Sequence, residues 1–136
     1  MTESVGAFTL LVPSYAEGLA FFCGALGFAV VEDTPLDRDK RWGVVAPAGN
    51  AGARIVLAVP SGERQTARVG DQTGGRVGYF LQTSDFDRDY HALTARGVRF
   101  LETPRREPYG TVAVFTDPWG GKWDLIQSIR ADRAPI

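Results

Sequence analysis

Residues 27–35 read Gly-Phe-Ala-Val-Val-Glu-Asp-Thr-Pro, and residues 97–104 repeat this stretch as Gly-Val-Arg-Phe-Leu-Glu-Thr-Pro. Gly27 and Gly97, like Glu32 and Glu102, lie 70 residues apart, since 97 − 27 and 102 − 32 both give 70. In both copies a strand-like apolar run and a stretch with helical spacing precede the glycine. Such a repeat predicts that one supersecondary unit occurs twice in the chain.

Each copy predicts the same order of elements, which is strand–helix–strand–strand–strand. We expect the first unit at about residues 6–59 and the second at about 76–128, within one domain that spans residues 1–136. Residues 60–75 are polar and rich in glycine, so they are interpreted as the linker between the units. The charged residues after Ile129 predict a loose tail.

The predicted fold class is α+β, in which the paired βαβββ units form one curved mixed sheet with the helices on its outer face. Ser14 and Asp85 are suited to begin the two helices, and Gly27 and Gly97 are suited to end them. The opposite face of the sheet is expected to be concave and open, which makes it the natural place for a ligand.

The composition excludes several classes of protein. The 136 residues, 44% of them hydrophobic and 23% charged, suit one globular domain with a core. A formal net charge of −1 argues against a nucleic-acid partner. No apolar run approaches the roughly 18–20 residues of a membrane span, and the N-terminal residues lack the layout of a signal peptide. With a single cysteine, these features predict a cytoplasmic protein.

Three segments together resemble the vicinal oxygen chelate superfamily, also called the glyoxalase/bleomycin resistance/dioxygenase family. They are residues 19–28, which end in Leu-Gly-Phe, residues 85–98, and residues 115–127, which contain Asp-Pro-Trp-Gly. The resemblance extends over about residues 6–127 and implies the paired-unit fold. It also implies a homodimer and a small-molecule ligand, but it does not specify one activity.

Metal-dependent members of this superfamily hold the ion with His, Gln or Glu ligands on the first and last strands of each unit. The resemblance places these positions at Ala7, Arg76, Asp124 and one of residues 54–56. Arginine is always charged, so Arg76 would repel a divalent ion. His91 is the only histidine of the chain, which is fewer than iron or zinc sites require. We therefore expect no metal cofactor, and the alternative is a divalent ion held by oxygen ligands alone.

Arg76 and Asp124 would lie on neighbouring strands in the family geometry, and we predict an ion pair between them where other members hold the metal. In one interpretation Arg76 binds an anionic or carbonyl ligand that Asp124 orients. In the other the pair only closes the sheet. Trp123 alternates with Asp124 and is expected to point toward a helix. The predicted ligand-binding residues are Arg76, Asp124, Trp42, Phe80, Gln82, Phe115 and Tyr109.

Two functions follow from the resemblance. The first is a small-molecule binding protein that uses the concave face without a catalytic metal. The second is a metal-dependent lyase, isomerase or dioxygenase of the same superfamily. No catalytic residue is identified, and Arg76 and Asp124 are the candidates, as an electrostatic stabiliser and a base.

Overall fold

The computed structural model describes residues 2–49 and 52–129. Its contacts divide the chain into two compact units, and the boundary falls between Val69 and Gly70. The predicted loose tail after Ile129 lies outside the described residues. No helix of the described residues is long and apolar enough to cross a membrane.

The described part of unit one consists of four strands and three short helical segments. Strand β1 is Ala7–Leu11, β2 is Ala29–Asp37, β3 is Lys40–Ala46 and β4 is Arg54–Ala58. Helix α1, Tyr15–Leu19, continues as a π-helical turn at Ala20–Ala25, and α2 is Gly62–Thr66. The sheet order is β1-β4-β3-β2, in which β1 and β4 are parallel and the other pairs are antiparallel.

Unit two repeats this plan. Strand β5 is Val77–Gln82, β6 is Arg99–Phe100, β7 is Arg105–Glu107, β8 is Gly110–Thr116 and β9 is Lys122–Ser128. Helix α3 is Phe86–Ala95. The sheet order is β5-β9-β8-β6, with β7 also paired to β8. Again the first and last strands, β5 and β9, are parallel.

The helix ends confirm the capping predictions. The Ser14 hydroxyl oxygen accepts a hydrogen bond from the Glu17 N–H at 3.1 Å, and an Asp85 carboxylate oxygen accepts one from the Arg88 N–H at 3.1 Å. Each bond satisfies a backbone donor that the first turn of a helix leaves unpaired. After the first helical segment Gly27 has φ 77°, and after α3 Gly97 has φ 88°. A residue with a side chain adopts this left-handed conformation at a cost, so glycine ends both helices.

The α+β class is confirmed, and among the described residues the strands pair within each unit into two mixed sheets, where one sheet was predicted. The predicted linker is not entirely irregular, because it contains the short polar helix α2. The Gln65 side chain caps this helix by accepting a hydrogen bond from the Ser61 N–H at 2.8 Å. Strand β7 was not predicted. It is three polar residues long, too short to show a strand pattern.

The helices define two faces of each sheet. A Cβ at Gly18 of α1 would lie 3.2 Å from side-chain atoms of Leu57 and Val12, so α1 packs against the sheet face that carries these residues. In unit two the Gln127 side chain accepts the Phe86 N–H at 2.8 Å and thereby joins β9 to the start of α3. We call the other side of each sheet the open face.

The largest fully buried side chains include Phe22 and Leu57 in unit one and Phe115 and Leu125 in unit two. Trp123 is also buried, at 3% exposure, on the helix side of β9 as its alternation with Asp124 predicted.

Candidate functional site

The open face of unit two carries a row of side chains that crosses three strands. Phe80 of β5 pairs with Asp124 of β9, and Asp124 pairs with Val114 of β8. Paired residues of neighbouring strands project to the same side of a sheet. A Glu102 carboxylate oxygen accepts the Val114 N–H at 2.9 Å, so Glu102 lies at the end of this row. The row therefore places an aromatic ring and a carboxylate side by side, with a second carboxylate beyond them.

A three-residue ion network borders this row. The Arg105 Nε donates to Glu102 Oε1 at 3.0 Å, and Arg105 Nη1 donates to Glu107 Oε1 at 2.9 Å. Arg105 and Glu107 belong to β7, where Arg105 pairs with Val112 of β8. Both oxygens of Glu102 are thus engaged, one by Arg105 and one by the backbone of β8. The network holds the Glu102 side chain in a fixed place.

Asp124 differs from its neighbours because one of its oxygens has no partner. Asp124 Oδ1 is enclosed and accepts no hydrogen bond from the residues that the structure describes. Burial raises the pKa of the Asp124 carboxyl, while Arg105 lowers that pKa and Glu102 raises it. An enclosed acceptor without a donor destabilises the ionised carboxylate. Such groups are concentrated at binding and catalytic sites.

Unit one has an equivalent row without the carboxylate at its centre. Thr9 of β1 pairs with Val56 of β4, and Val56 pairs with Val44 of β3, which pairs with Glu32 of β2. Glu32 and Val44 precede Glu102 and Val114 by the same 70 residues, so the sequence repeat is a repeat in space. The Glu32 side chain accepts the Trp42 indole N–H at 3.2 Å. Val56 stands where unit two has Asp124.

Phe80, Gln82 and Asp124 are brought together by the structure. Phe80 pairs with Asp124 and Gln82 pairs with Ile126, which places all three on the open face of unit two. Phe80 is 39% exposed, which is high for a phenylalanine within a sheet. Tyr109 lies in the turn between β7 and β8 of the same unit. Trp42 belongs to β3 of unit one.

Arg76 does not form the predicted ion pair with Asp124. It precedes the first residue of β5 and is exposed. No salt bridge joins it to Asp124 within residues 2–49 and 52–129, and the cation that lowers the pKa of Asp124 is Arg105. The prediction failed because Asp124 pairs with Phe80, which lies four residues after Arg76, so the two side chains occupy different positions along the neighbouring strands.

Phe115 does not line the open face, contrary to the prediction. It is completely buried and pairs with Trp123 on the helix side of the sheet. Its ring centroid lies 5.8 Å from that of Trp123 and 5.5 Å from that of Phe100. Phe115 is therefore a core residue of unit two.

The donor groups of the open faces do not fit a divalent metal. The central row of the open faces holds Thr9 and Val56 in unit one and Phe80 and Asp124 in unit two, and of these only Asp124 is a carboxylate. The nearby Glu102 has both oxygens engaged in hydrogen bonds. Across the described parts of the chain, no three His, Cys, Asp or Glu side chains converge as a metal site.

Sequence reasoning missed Glu102 and Arg105 as parts of this site. A signal for Glu102 was present, because it is the glutamate that recurs in the 70-residue repeat. Arg105 gave no such signal, since its place depends on the short strand β7.

Comparison with known proteins identifies the family to which the chain belongs. The profile of the Glyoxalase/Bleomycin resistance protein/Dioxygenase superfamily matches residues 4–125. An uncharacterised protein from Shewanella frigidimarina is 42% identical over 137 residues, with 100% of both chains covered. The crystal structure of UcmS2 has a TM-score of 0.79 at 30% identity and covers 93% of this chain and 98% of its own. TnmS3, an antibiotic binding protein from a Streptomyces species, has a TM-score of 0.77 at 31% identity, with 94% and 98% covered. The chain belongs to the glyoxalase/bleomycin resistance protein/dioxygenase superfamily.

Proposed function

We propose that this protein binds an organic small molecule on the open face of unit two, and that it does so without a catalytic metal. The observation that supports the proposal is the pairing of the exposed Phe80 ring with Asp124, whose Oδ1 lacks a hydrogen-bond partner among the described residues. A ligand surface of this kind combines an apolar contact with a few oriented polar groups. The similarity to TnmS3, which is an antibiotic binding protein, supports the same class of function.

Two substitutions test the proposed site. Phe80→Ala and Asp124→Asn should each weaken binding of an aromatic ligand about tenfold, because each removes one of the two main contacts. Binding is measured by nuclear magnetic resonance titration with small bicyclic and tricyclic aromatic compounds, monitoring the backbone amides of β5 and β9. Val59→Ala and Asp87→Asn are matched controls, since Val59 is exposed to 37% and Asp87 lies on the surface of α3. The proposed site would be refuted if the control substitutions weakened binding as much as Phe80→Ala and Asp124→Asn. It would also be refuted if the ligands caused no shift in the amide resonances of β5 and β9.

The metal-free part of the proposal has its own measurement. Elemental analysis of protein purified without chelator should find no stoichiometric divalent metal. One tightly bound ion per chain would overturn this part and favour a metal-dependent lyase, isomerase or dioxygenase.

The same proposal includes a homodimer in the cytoplasm. Strand β2 forms an edge of the sheet of unit one, and all of its residues except Val31 are exposed. Val30 is 48% exposed and Leu36 is 62% exposed, so apolar side chains lie along an edge that can pair with another chain. Light scattering with size-exclusion chromatography should give twice the chain mass of 14.8 kDa. A mass of one chain at micromolar concentration would contradict the dimer.

A further inference from the structure

The charged groups next to Asp124 form ion pairs with one another and none with Asp124. Arg105 contacts one carboxylate through Nε and another through Nη1, so the network of Glu102, Arg105 and Glu107 has a net charge of −1. The second oxygen of Glu102 accepts the Val114 N–H, which leaves that carboxylate saturated. The network therefore offers Asp124 no direct ion pair.

No other cation among the described residues forms an ion pair with Asp124. Lys122 lies two residues before it on β9, and Arg99 pairs with Thr116, which in turn pairs with Lys122. These two cations thus occupy the neighbouring row of the open face. Within residues 2–49 and 52–129, neither forms a salt bridge with Asp124. When Asp124 is ionised, it and the adjacent network together carry a charge of −2.

Phe80 supplies the second part of the argument. It is the direct cross-strand neighbour of Asp124, and the residue is 39% exposed. The face of an aromatic ring attracts cations as well as apolar groups. A carboxylate beside an accessible ring is thus complementary to a positively charged nitrogen attached to an apolar body.

We infer that the ligand of this face is an organic amine, whose protonated nitrogen meets the carboxylate of Asp124 while its apolar body covers Phe80. The inference rests on the proposed function and deepens it by naming the ligand class. Because Oδ1 of Asp124 is enclosed, the ammonium group contacts Oδ2. This contact stabilises the negative charge that both carboxylate oxygens share. The amine supplies the direct ion-pair partner that Asp124 lacks among the described residues.

The test uses matched sets of aromatic compounds that differ in one group. Each naphthalene or anthracene carries an aminomethyl, a hydroxymethyl or a carboxylate group, and binding to the full-length protein is titrated by fluorescence at pH 7. The amine should bind at least about tenfold more tightly than the alcohol, and the carboxylate most weakly. The preference for the amine should decrease as salt is raised.

Asp124→Asn should abolish the preference for the amine over the alcohol, while Asp87→Asn should preserve it. Equal affinities for amine and alcohol in the wild-type protein would overturn the amine inference but leave the proposed binding site standing. A preference that survives in Asp124→Asn would also overturn it. Failure of every compound to bind would refute the proposed function itself, which separates the two results.

Discussion

Replacing Asp117 with alanine should lower the free energy of unfolding by about 3 kcal/mol. Asp117 is 3% exposed, and its Oδ1 accepts hydrogen bonds from the Trp119 N–H at 3.1 Å and the Gly121 N–H at 2.8 Å. Its Oδ2 accepts the indole N–H of Trp123 at 3.2 Å. The substitution leaves three donors without this acceptor and opens a small cavity beside a buried ring. Relief of the cost of burying a carboxylate offsets part of this loss.

Urea unfolding followed by circular dichroism measures the effect. Asp87→Ala, which removes an exposed aspartate from the same unit, should change the free energy of unfolding by no more than about 0.5 kcal/mol. The loss of unfolding free energy for Asp117→Asn should lie between those of the two alanine variants. The amide keeps one oxygen acceptor, but its N–H₂ group faces at least one of the three N–H donors that the carboxylate accepts from. If Asp117→Ala were as stable as Asp87→Ala, the turn at residues 117–121 would not depend on this carboxylate.

The pH dependence of Asp117→Asn distinguishes the charge from the hydrogen bonds. Burial raises the pKa of Asp117, although the hydrogen bonds from Gly121, Trp123 and Trp119 lower it. Since the folded-state pKa is raised, the stabilising contribution is complete below the unfolded-state pKa and is lost as the pH rises through the folded-state pKa. The asparagine does not titrate. The stability advantage of the wild type should therefore be largest in acid and shrink with rising pH, and a constant advantage would contradict the raised pKa.

The fold was predictable because its main signals are local. The glycines that end the helices, the caps at Ser14 and Asp85 and the 70-residue repeat are all visible in the sequence. Helix α2 and strand β7 were not predicted, because both are short and polar and depend on side-chain or tertiary hydrogen bonds. The pairing of strands into two sheets rather than one is a non-local property that a linear pattern does not specify.

The sheet face of a candidate site residue was predictable only where a single strand decided it. Alternation along β5 was enough to place Phe80 and Gln82 on one face. The face of Phe115, in contrast, depends on its pairing with Trp123. This pairing is set by the register between β8 and β9, which the turn between these strands determines. The register of β5 with β9 likewise separates Arg76 from Asp124, because Asp124 pairs with Phe80. A shift of one residue moves a side chain to the other face, so errors of this kind are concentrated at strand ends and in non-local pairings.

Gly70→Ala should destabilise unit two by about 3 kcal/mol or more, whereas Gly74→Ala should cost about 1 kcal/mol. Both glycines have positive φ, 75° and 68°, so alanine is strained by a similar amount at each. The positions differ in the space around them. A Cβ at Gly70 would overlap the backbone carbonyl oxygen of Trp119, whereas a Cβ at Gly74 would meet no atom within 4 Å.

The overlap at Gly70 cannot be relieved by rotating a side chain, because the contacting atom belongs to the backbone of the turn that Asp117 holds. The chain at Gly70 or the turn at Trp119 must move, and either movement disturbs the hydrogen bonds of Asp117 to Trp119 and Gly121. Gly70→Ala and Asp117→Ala therefore act on one structure, and their combined effect should be smaller than the sum of the two. Urea unfolding of both single variants, the double variant and Gly74→Ala measures this. Equal losses for Gly70→Ala and Gly74→Ala would show that backbone strain alone is responsible, and strict additivity would show that residue 70 and the turn are energetically independent.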